Sequence, residues 1–417
     1  MPEFFNVLPP DQARSLLLEN LTGRLDEEQI KTEDALKRVT AAPLFASHPL
    51  PAFRRSTMDG YALHAADTFG ASGSLPALIK VVSEVPMGES STVILARGQA
   101  AIVHTGGMIP TMVDAVVPVE LTQAVGQPQQ QNIPYEIEVF KAVASGENVL
   151  QIGEDVQHQS QVLPAGHLIR PQDIGGLLAL GITSIAVARQ PRVAILATGD
   201  EIVPPNQAAR PGEIRDINSY TISAQVSQAG GIPIAGGIIA DDFSALLKAA
   251  QDAMRKSDMV VMTAGSSVSV RDMTVRVIEE LGEPGVLFHG VATRPGKPTI
   301  VGVISGKPVL GLPGNPVSAM IQFDMFGAHA IYHLLGLRQA PKQGIVWARL
   351  SQNIPSQSGR EDYVPAKLED REHEMIAIPV FGKSNLIYTL VNADGLIKVP
   401  LNKGGLIAGE LVEVRLY

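Results

Sequence analysis

Cysteine is absent from the chain. Structural disulfides and thiolate metal sites are thereby excluded, and a reducing compartment is permitted. Charged residues make up only 18%, below the usual quarter, which argues against long disordered tails. No basic run occurs and the net charge is −9, so the chain lacks the cationic face of a duplex nucleic-acid binder. No apolar run approaches the roughly 20 residues of a membrane span. The first residues lack the charged and apolar regions of a signal peptide. A soluble cytoplasmic protein is the expectation. No GxSxG elbow is present, and no P-loop follows a strand.

What the chain does have is length and apolar content. Its 417 residues, 45% hydrophobic, favour several domains with sizeable cores. The N-terminal part predicts a helix over 9–21 and a second over 32–39, with Thr32 as a candidate cap. Prolines at 43, 49 and 51 mark an extended connector. From 78 to 140 short apolar runs alternate with Gly, Pro and Gln clusters, which predicts a small, mostly β domain inserted into the first. A helix is expected over 171–181 and a strand over 184–188. Beyond Pro191 strands and helices alternate, with strands over 193–197, 232–239, 259–262 and 308–312. Helices are expected over 220–229, 243–256 and from 275, and a long apolar one over 316–335. That alternation predicts a parallel, doubly wound sheet, whose ligands belong at the carboxyl ends of the strands. After Pro341 the pattern is β again, with expected strands at 347–350, 362–368, 374–379, 385–390, 395–399 and 410–416. The fold class is multidomain: a central α/β domain, an inserted β-rich domain and a C-terminal β domain.

Three loops carry the chemistry: TGDE at 198–201, the small-residue run at 263–269 and PGNP at 313–316. All follow predicted strands of one sheet. Small residues and hydroxyls at a strand end followed by a helix N-terminus suit an anion. Glu201, Asp216 and Asp272 come from three different loops of this one predicted sheet, and Mg²⁺ takes a few carboxylates plus waters and phosphate oxygens. Asp216 and Asp272 would serve equally as helix caps. Arg294 and Lys297, in the RPGKP turn, offer two cations to an oxyanion. Arg360 and the Lys383–Ser384 pair open C-terminal strands and either reach an anion or sit in surface turns. Thr105, in HTGGMIP, presents a hydroxyl or sits in a hairpin turn. Asp59–Gly60 reads from the residues alone as an ordinary turn.

Taken together these motifs resemble the MoeA family, the molybdopterin molybdenumtransferases, also represented by the gephyrin E-domain. The resemblance spans nearly the whole chain. It rests on RSTMDGYA at 55–62, HTGGMIP…DAVVPVE at 104–120, GENVLQIGEDV at 146–156, ATGDEIV at 197–203, EIRDINSY at 213–220, TAGSSVSVRD at 263–272, RPGKP at 294–298 and GLPGNPVSA at 311–319. It implies four domains: domain I at 1–50 and 146–188, domain II at 51–145, a MogA-like α/β domain III at 189–335 and domain IV at 336–417. It implies a homodimer whose active site is shared between subunits, transient contact with a MogA-type adenylyltransferase and with molybdoenzyme maturation partners, and no nucleic-acid or membrane partner. The implied reaction is Mg²⁺-assisted insertion of molybdate into adenylylated molybdopterin with release of AMP.

Carried over by position, the resemblance implies catalytic roles for Asp59, Thr105, Glu201, Asp272 and Lys297, and metal ligation by Glu201, Asp216 and Asp272. It implies substrate binding by Ser266, Ser267, Ser269, Arg294, Pro298, Asn315, Ser318, Arg360 and Ser384. The chain departs from the family in the 263–272 run. There Ala264 and Ser269 replace glycines, Ser266 replaces an apolar residue and Val270 an acid, trading backbone freedom for hydroxyls. Arg294 stands where lysine is common and offers a planar fork in place of a point charge. A tungstate-handling or other diverged paralogue, a nucleotidyltransferase on the same fold and a non-catalytic scaffold are the alternatives. The β insert and C-terminal domain weigh against the second, and the three acids with Lys297 against the third.

Overall fold

The computed structural model describes residues 7–126, 133–264, 268–371 and 373–417, with the backbone alone for 264 and 268–271. Ser266 and Ser267 lie outside the described residues, and so does the side chain of Ser269. The chain divides into two compact units, one of residues 1–42, 165–170 and 185–417, the other of 43–164 and 171–184.

Helix α1 (Pro10–Glu19) forms as expected, with Pro at its first turn. The second expected helix does not. Residues Thr32–Asp34 make one 3₁₀ turn instead, and Lys37 adopts φ +60°. Val39 and Thr40 then bridge Leu168 and Val187 in extended pairings that suit β-branched side chains.

The 43–164 and 171–184 unit is built on a six-stranded sheet. Its strands are β1 (Gly60–Leu63), β2 (Ala77–Glu84), β3 (Gln99–Val103), β4 (Ala115–Pro118), β5 (Thr122–Ala124) and β6 (Tyr135–Val139), in the spatial order β4-β1-β3-β2-β6-β5. Successive residues feed opposite faces, so Tyr61 and Leu63 pack with Val81, Ile137 and Val139, and Ala62 packs with Val103, Ile109 and Val116. Gly60 has no substitute here, because a Cβ would lie 2.1 Å from the Val117 carbonyl oxygen.

In the other unit, β7 (Arg192–Thr198), β8 (Ile232–Ile239), β9 (Met259–Ala264) and β13 (Lys307–Pro313) lie in the order β8-β7-β9-β13, all parallel. The four strands are parallel as expected, and the sheet carries an antiparallel edge in addition. Strands β10 (Pro284–His289) and β12 (Ile300–Ile304) continue the sheet antiparallel beyond β13, because the short turn at 305–306 joins β12 to β13 as a hairpin. Helices α2 (Asn218–Gln228), α4 (Val268–Leu281) and α3 (Phe243–Lys256) flank the sheet. Two separate cores result. Val193, Ile195, Met259 and Val261 meet Ile222 of α2 and Phe323 on one face, while Ala194, Leu196, Val260 and Met262 meet Leu246 of α3 and Ile278 of α4 on the other. Burial on both faces explains the unbroken apolar runs of these strands. Helix α4 begins seven residues before the expected Val275.

The long apolar helix forms as α5 (Pro316–Gln322), a π-helical stretch Phe323–Ala328, and α6 (His329–Leu334). The C-terminal strands are β14 (Ile345–Leu350), β15 (Glu361–Arg371), β16 (Glu374–Pro379), β17 (Gly395–Val399) and β18 (Leu411–Leu416). They close into a five-membered ring, because β15 pairs with both β16 and β17. The strand expected over 385–390 is instead a turn and one helical turn, Tyr388–Val391. Ile387 and Leu390, three apart, both pack toward Val317 and Ile321 of α5, so helical spacing wins there.

Asp258 ties the start of this sheet together. It accepts both Arg189 guanidinium nitrogens at 2.9 Å and the Arg192 backbone N–H at 2.8 Å. Burial pushes its carboxyl up, but the Arg189 and Arg192 hydrogen bonds, with the Arg189 and Lys307 charges, outweigh this and hold it below the usual range. A depressed folded value means stability that is present above about pH 4 and is lost as pH falls through the folded value. Asp258→Asn is therefore expected to cost about 1–3 kcal/mol at neutral pH. The gap from wild type should close in acid. Denaturation curves at both pH values check this, and a gap independent of pH would contradict it.

Candidate anion and metal sites

The RPGKP turn lies between β10 and β12, yet it leaves their sheet. Thr293–Arg294, strand β11, pairs in parallel with Glu361–Asp362 at the start of β15. The turn is fixed from behind by Gln322 of α5, fully buried, whose Nε2 donates to Thr293 Oγ1 and the Pro295 carbonyl, each at 3.1 Å. Thr299 Oγ1 donates to the Gly296 carbonyl at 2.7 Å, and the Val291 N–H donates to the Lys297 carbonyl. The PGNP loop follows β13, and Pro316 opens α5. Asn315 Nδ2 donates to Ser384 Oγ at 3.0 Å, and the Val317 N–H donates to the Ser384 carbonyl at 3.1 Å.

These segments enclose a cavity of about 840 Å³. Seven of the nominated residues line it: Arg294, Lys297, Pro298, Asn315, Ser318, Arg360 and Ser384. Among the described residues its charged lining is Arg294, Lys297, Arg360 and Lys383 against Asp362, four cations to one carboxylate. A cationic hollow in a chain of net charge −9 concentrates field on small anions. Asp362, 3% exposed, accepts from Arg360 Nε at 2.8 Å and lies 3.8 Å from Arg294 Nη1. On the other side of the strand, buried Glu361 pairs with Lys398 at 2.6 Å and accepts the Tyr363 hydroxyl at 2.6 Å. Burial and the Glu361 hydrogen bond push the Tyr363 phenol up, so it stays protonated.

The nominated acids lie elsewhere in the same unit. Glu201 follows β7 and Asp216 precedes α2, and neither lines the cavity; nor does Asp272. Residues Ile202–Val203 and Ile214–Arg215 form a two-residue parallel ladder between Glu201 and Asp216. Asp216 Oδ1 accepts the Ser219 N–H at 3.0 Å and so caps the first turn of α2. Asp272 lies within α4, exposed and past its first turn. Among the described residues no group of three or more His, Asp or Glu is spaced to hold a metal ion.

One acid escaped the sequence reading. Asp241 follows β8, next to β7, and its N–H donates to Asp200 Oδ1 at 3.1 Å. Burial, then the Asp200 and Glu201 charges, push its carboxyl up. Its buried Oδ1 has no hydrogen-bond partner. The signal was available: Ala240-Asp241 ends a strand as TGDE does. Asp362 and Gln322 were missed too, since they act through neighbours.

In the other unit the structure brings Asp59 and Thr105 together. The Thr105 N–H donates to Asp59 Oδ1 at 2.8 Å. That bond, the Thr105 hydroxyl and His104 hold the exposed Asp59 carboxyl below its ordinary range, against slight desolvation.

Comparison with known proteins gives the lineage. Residues 8–181 match the MoeA N-terminal region (domain I and II), 194–333 a probable molybdopterin binding domain, and 347–417 the MoeA C-terminal region (domain IV). A putative molybdopterin biosynthesis protein of Methanocaldococcus jannaschii is 35% identical over 99% of this chain and 98% of its own length. The chain belongs to the MoeA family. The molybdopterin molybdenumtransferase of Bacillus subtilis is 33% identical, covering 94% of this chain and 90% of that protein. The crystal structure of a MoeA protein of Pyrococcus horikoshii OT3 superposes with a TM-score of 0.85 at 31% identity, covering 99% of this chain and all of that one. The family membership places the chain in molybdenum cofactor biosynthesis.

Proposed function

We propose that this MoeA-family enzyme inserts molybdate into adenylylated molybdopterin, with hydrolysis of the phosphoanhydride and release of AMP. What carries the reading is the cavity, where seven residues nominated from sequence meet around four cations. Arg360 and Arg294 offer planar donor forks that suit a tetrahedral oxyanion, and Lys297 and Lys383 add mobile point charges. The buried Ser318 adds a hydroxyl to the cavity wall. The acids at the ends of β7 and β8 fit Mg²⁺: they supply hard carboxylate oxygens, and the Asp241 oxygen left without a partner lacks a positive charge beside it. Glu201 and Asp241 would contribute two carboxylates, the remaining positions falling to water and phosphate oxygens. Bound Mg²⁺ supplies neutralisation of charge on phosphate oxygens.

The proposal includes a cytoplasmic homodimer in which Asp59 and Thr105 of one subunit face the α/β domain of the other. It also includes transient contacts with the adenylyltransferase that makes the substrate and with partners that mature molybdoenzymes. The test is AMP release from adenylylated molybdopterin, with molybdate or tungstate added separately. Oxyanion-dependent release with metal on the pterin supports the reading, and absence of release from folded protein rejects it. Asp241→Asn gives a signed check on the metal. Without Mg²⁺ the variant should melt no lower than wild type, since a like charge is removed; the rise in melting temperature on adding Mg²⁺ should shrink. A full Mg²⁺ response in the variant would remove Asp241 from the ligand set.

A further inference from the structure

We propose that Asp362 is a positioning residue that holds two arginines as a paired clamp for a tetrahedral oxyanion, free or as the phosphate group of a larger molecule. The inference rests on the reading of the cavity as an anion site. Asp362 is 3% exposed and lies on the wall of that cavity. Its Oδ1 takes Arg360 Nε at 2.8 Å, its Oδ2 takes Arg360 Nη2 at 3.4 Å, and Arg294 Nη1 stands 3.8 Å from the same Oδ2. Both arginines also line the cavity, and Arg294 is well exposed, with 64% of its side chain accessible. The backbone sets the spacing, because Arg294 and Asp362 are register partners across the β11–β15 pairing.

A long guanidinium side chain loses much rotamer freedom when an anion orders it. A buried carboxylate that fixes one edge of the fork removes that cost before the ligand arrives, and leaves other N–H groups for the anion. The placement is otherwise hard to understand. A carboxylate in the wall of an anion site repels the anion, and charge alone would favour its absence. The chain's own Arg294 gives the arrangement its second fork. A lysine there keeps the charge but presents no planar edge to Asp362.

The two effects have opposite signs, and this makes the inference testable. By charge alone, Asp362→Asn tightens anion binding. By positioning, it weakens it. The experiment is calorimetric titration of the full-length protein with molybdate, and separately with a phosphate monoester, to distinguish a free oxyanion from a phosphate group. Asp362→Asn is expected to weaken whichever probe the clamp takes by about tenfold, equivalent to one hydrogen-bonded fork. In an Arg360→Lys/Arg294→Lys background the same change should have little further effect, as expected of residues acting as one unit. Asp362→Glu should recover part of the loss. Equal or tighter binding by folded Asp362→Asn overturns the inference. Should that variant fail to fold, Arg360→Lys and Arg294→Lys decide. Both keep the charge, and unchanged affinity in both overturns the clamp. Wild type that binds neither probe rejects the anion site itself, and the clamp with it.

Discussion

Arg360→Ala should lower oxyanion-dependent AMP release by about 100-fold or more in kcat/KM, while the protein stays folded. The magnitude follows from removing one preoriented charged donor from a site where anionic charge is handled. Arg360 is half-buried, tied to Asp362 on one edge and open to the cavity. Truncation removes the fork and leaves the buried Asp362 with only the distant Arg294 contact at 3.8 Å. The oxyanion concentration giving half-maximal release should rise along with the loss of rate. Arg360→Lys should fall between the two, since it restores the charge without the fork. Steady-state kinetics over a molybdate series checks this. Activity of Arg360→Ala within threefold of wild type would show that the cavity is not where the oxyanion binds.

Gly296→Ala is expected to have the largest structural effect, about 2–5 kcal/mol of destabilisation, with activity lost in parallel. Two penalties add. Gly296 has φ +102°, a conformation that costs an L residue about 1–2 kcal/mol. Its Cβ would also lie 2.3 Å from Nε2 of fully buried Gln322, and such overpacking costs about 1–3 kcal/mol. Gln322 cannot step aside without releasing Thr293 and Pro295, so the turn carrying Arg294 and Lys297 would move. Denaturant melts and the AMP assay on one preparation check the prediction. A variant as stable and active as wild type would mean that the turn tolerates a rearrangement the packing forbids.

Periodicity made much of the fold legible. The strands over 193–197 and 259–262 were readable because both of their faces are buried. The long helix from Pro316 was readable from its proline start and apolar length. Two misreadings share a cause. At 32–39 and 385–390 the stretch is short, and pairing with distant residues decided the outcome: Val39 and Thr40 with Leu168 and Val187, Ile387 and Leu390 with Val317 and Ile321. The antiparallel edge was hidden because a one-turn hairpin at 305–306 leaves no periodic signature.

For the site, the cations and hydroxyls of the cavity stood out by residue type within their motifs and were found. Asp362 and Gln322 were passed over, because a residue that acts on a neighbour looks like any acid or amide until the neighbour's position is known. The three acids were grouped by the strand ends they follow. The structure instead sets Asp241 beside Asp200 and Glu201, through adjacency of β7 and β8 that sequence order does not reveal.

Strand β11 has a consequence for modularity. Two residues, Thr293–Arg294, interrupt the α/β domain in sequence yet hydrogen-bond to the C-terminal β domain. The boundary drawn along the chain near residue 340 is therefore not the boundary of the backbone ladder. A C-terminal domain grafted from a relative would meet this chain's β11 as a foreign edge, and one expressed alone would expose unpaired backbone at Glu361–Asp362. The two domains are interlocked at the wall of the cationic cavity, so changes in one constrain which partners of the other remain compatible. Chimaeras that keep β11 and β15 from the same parent should assemble, and those that split them should not.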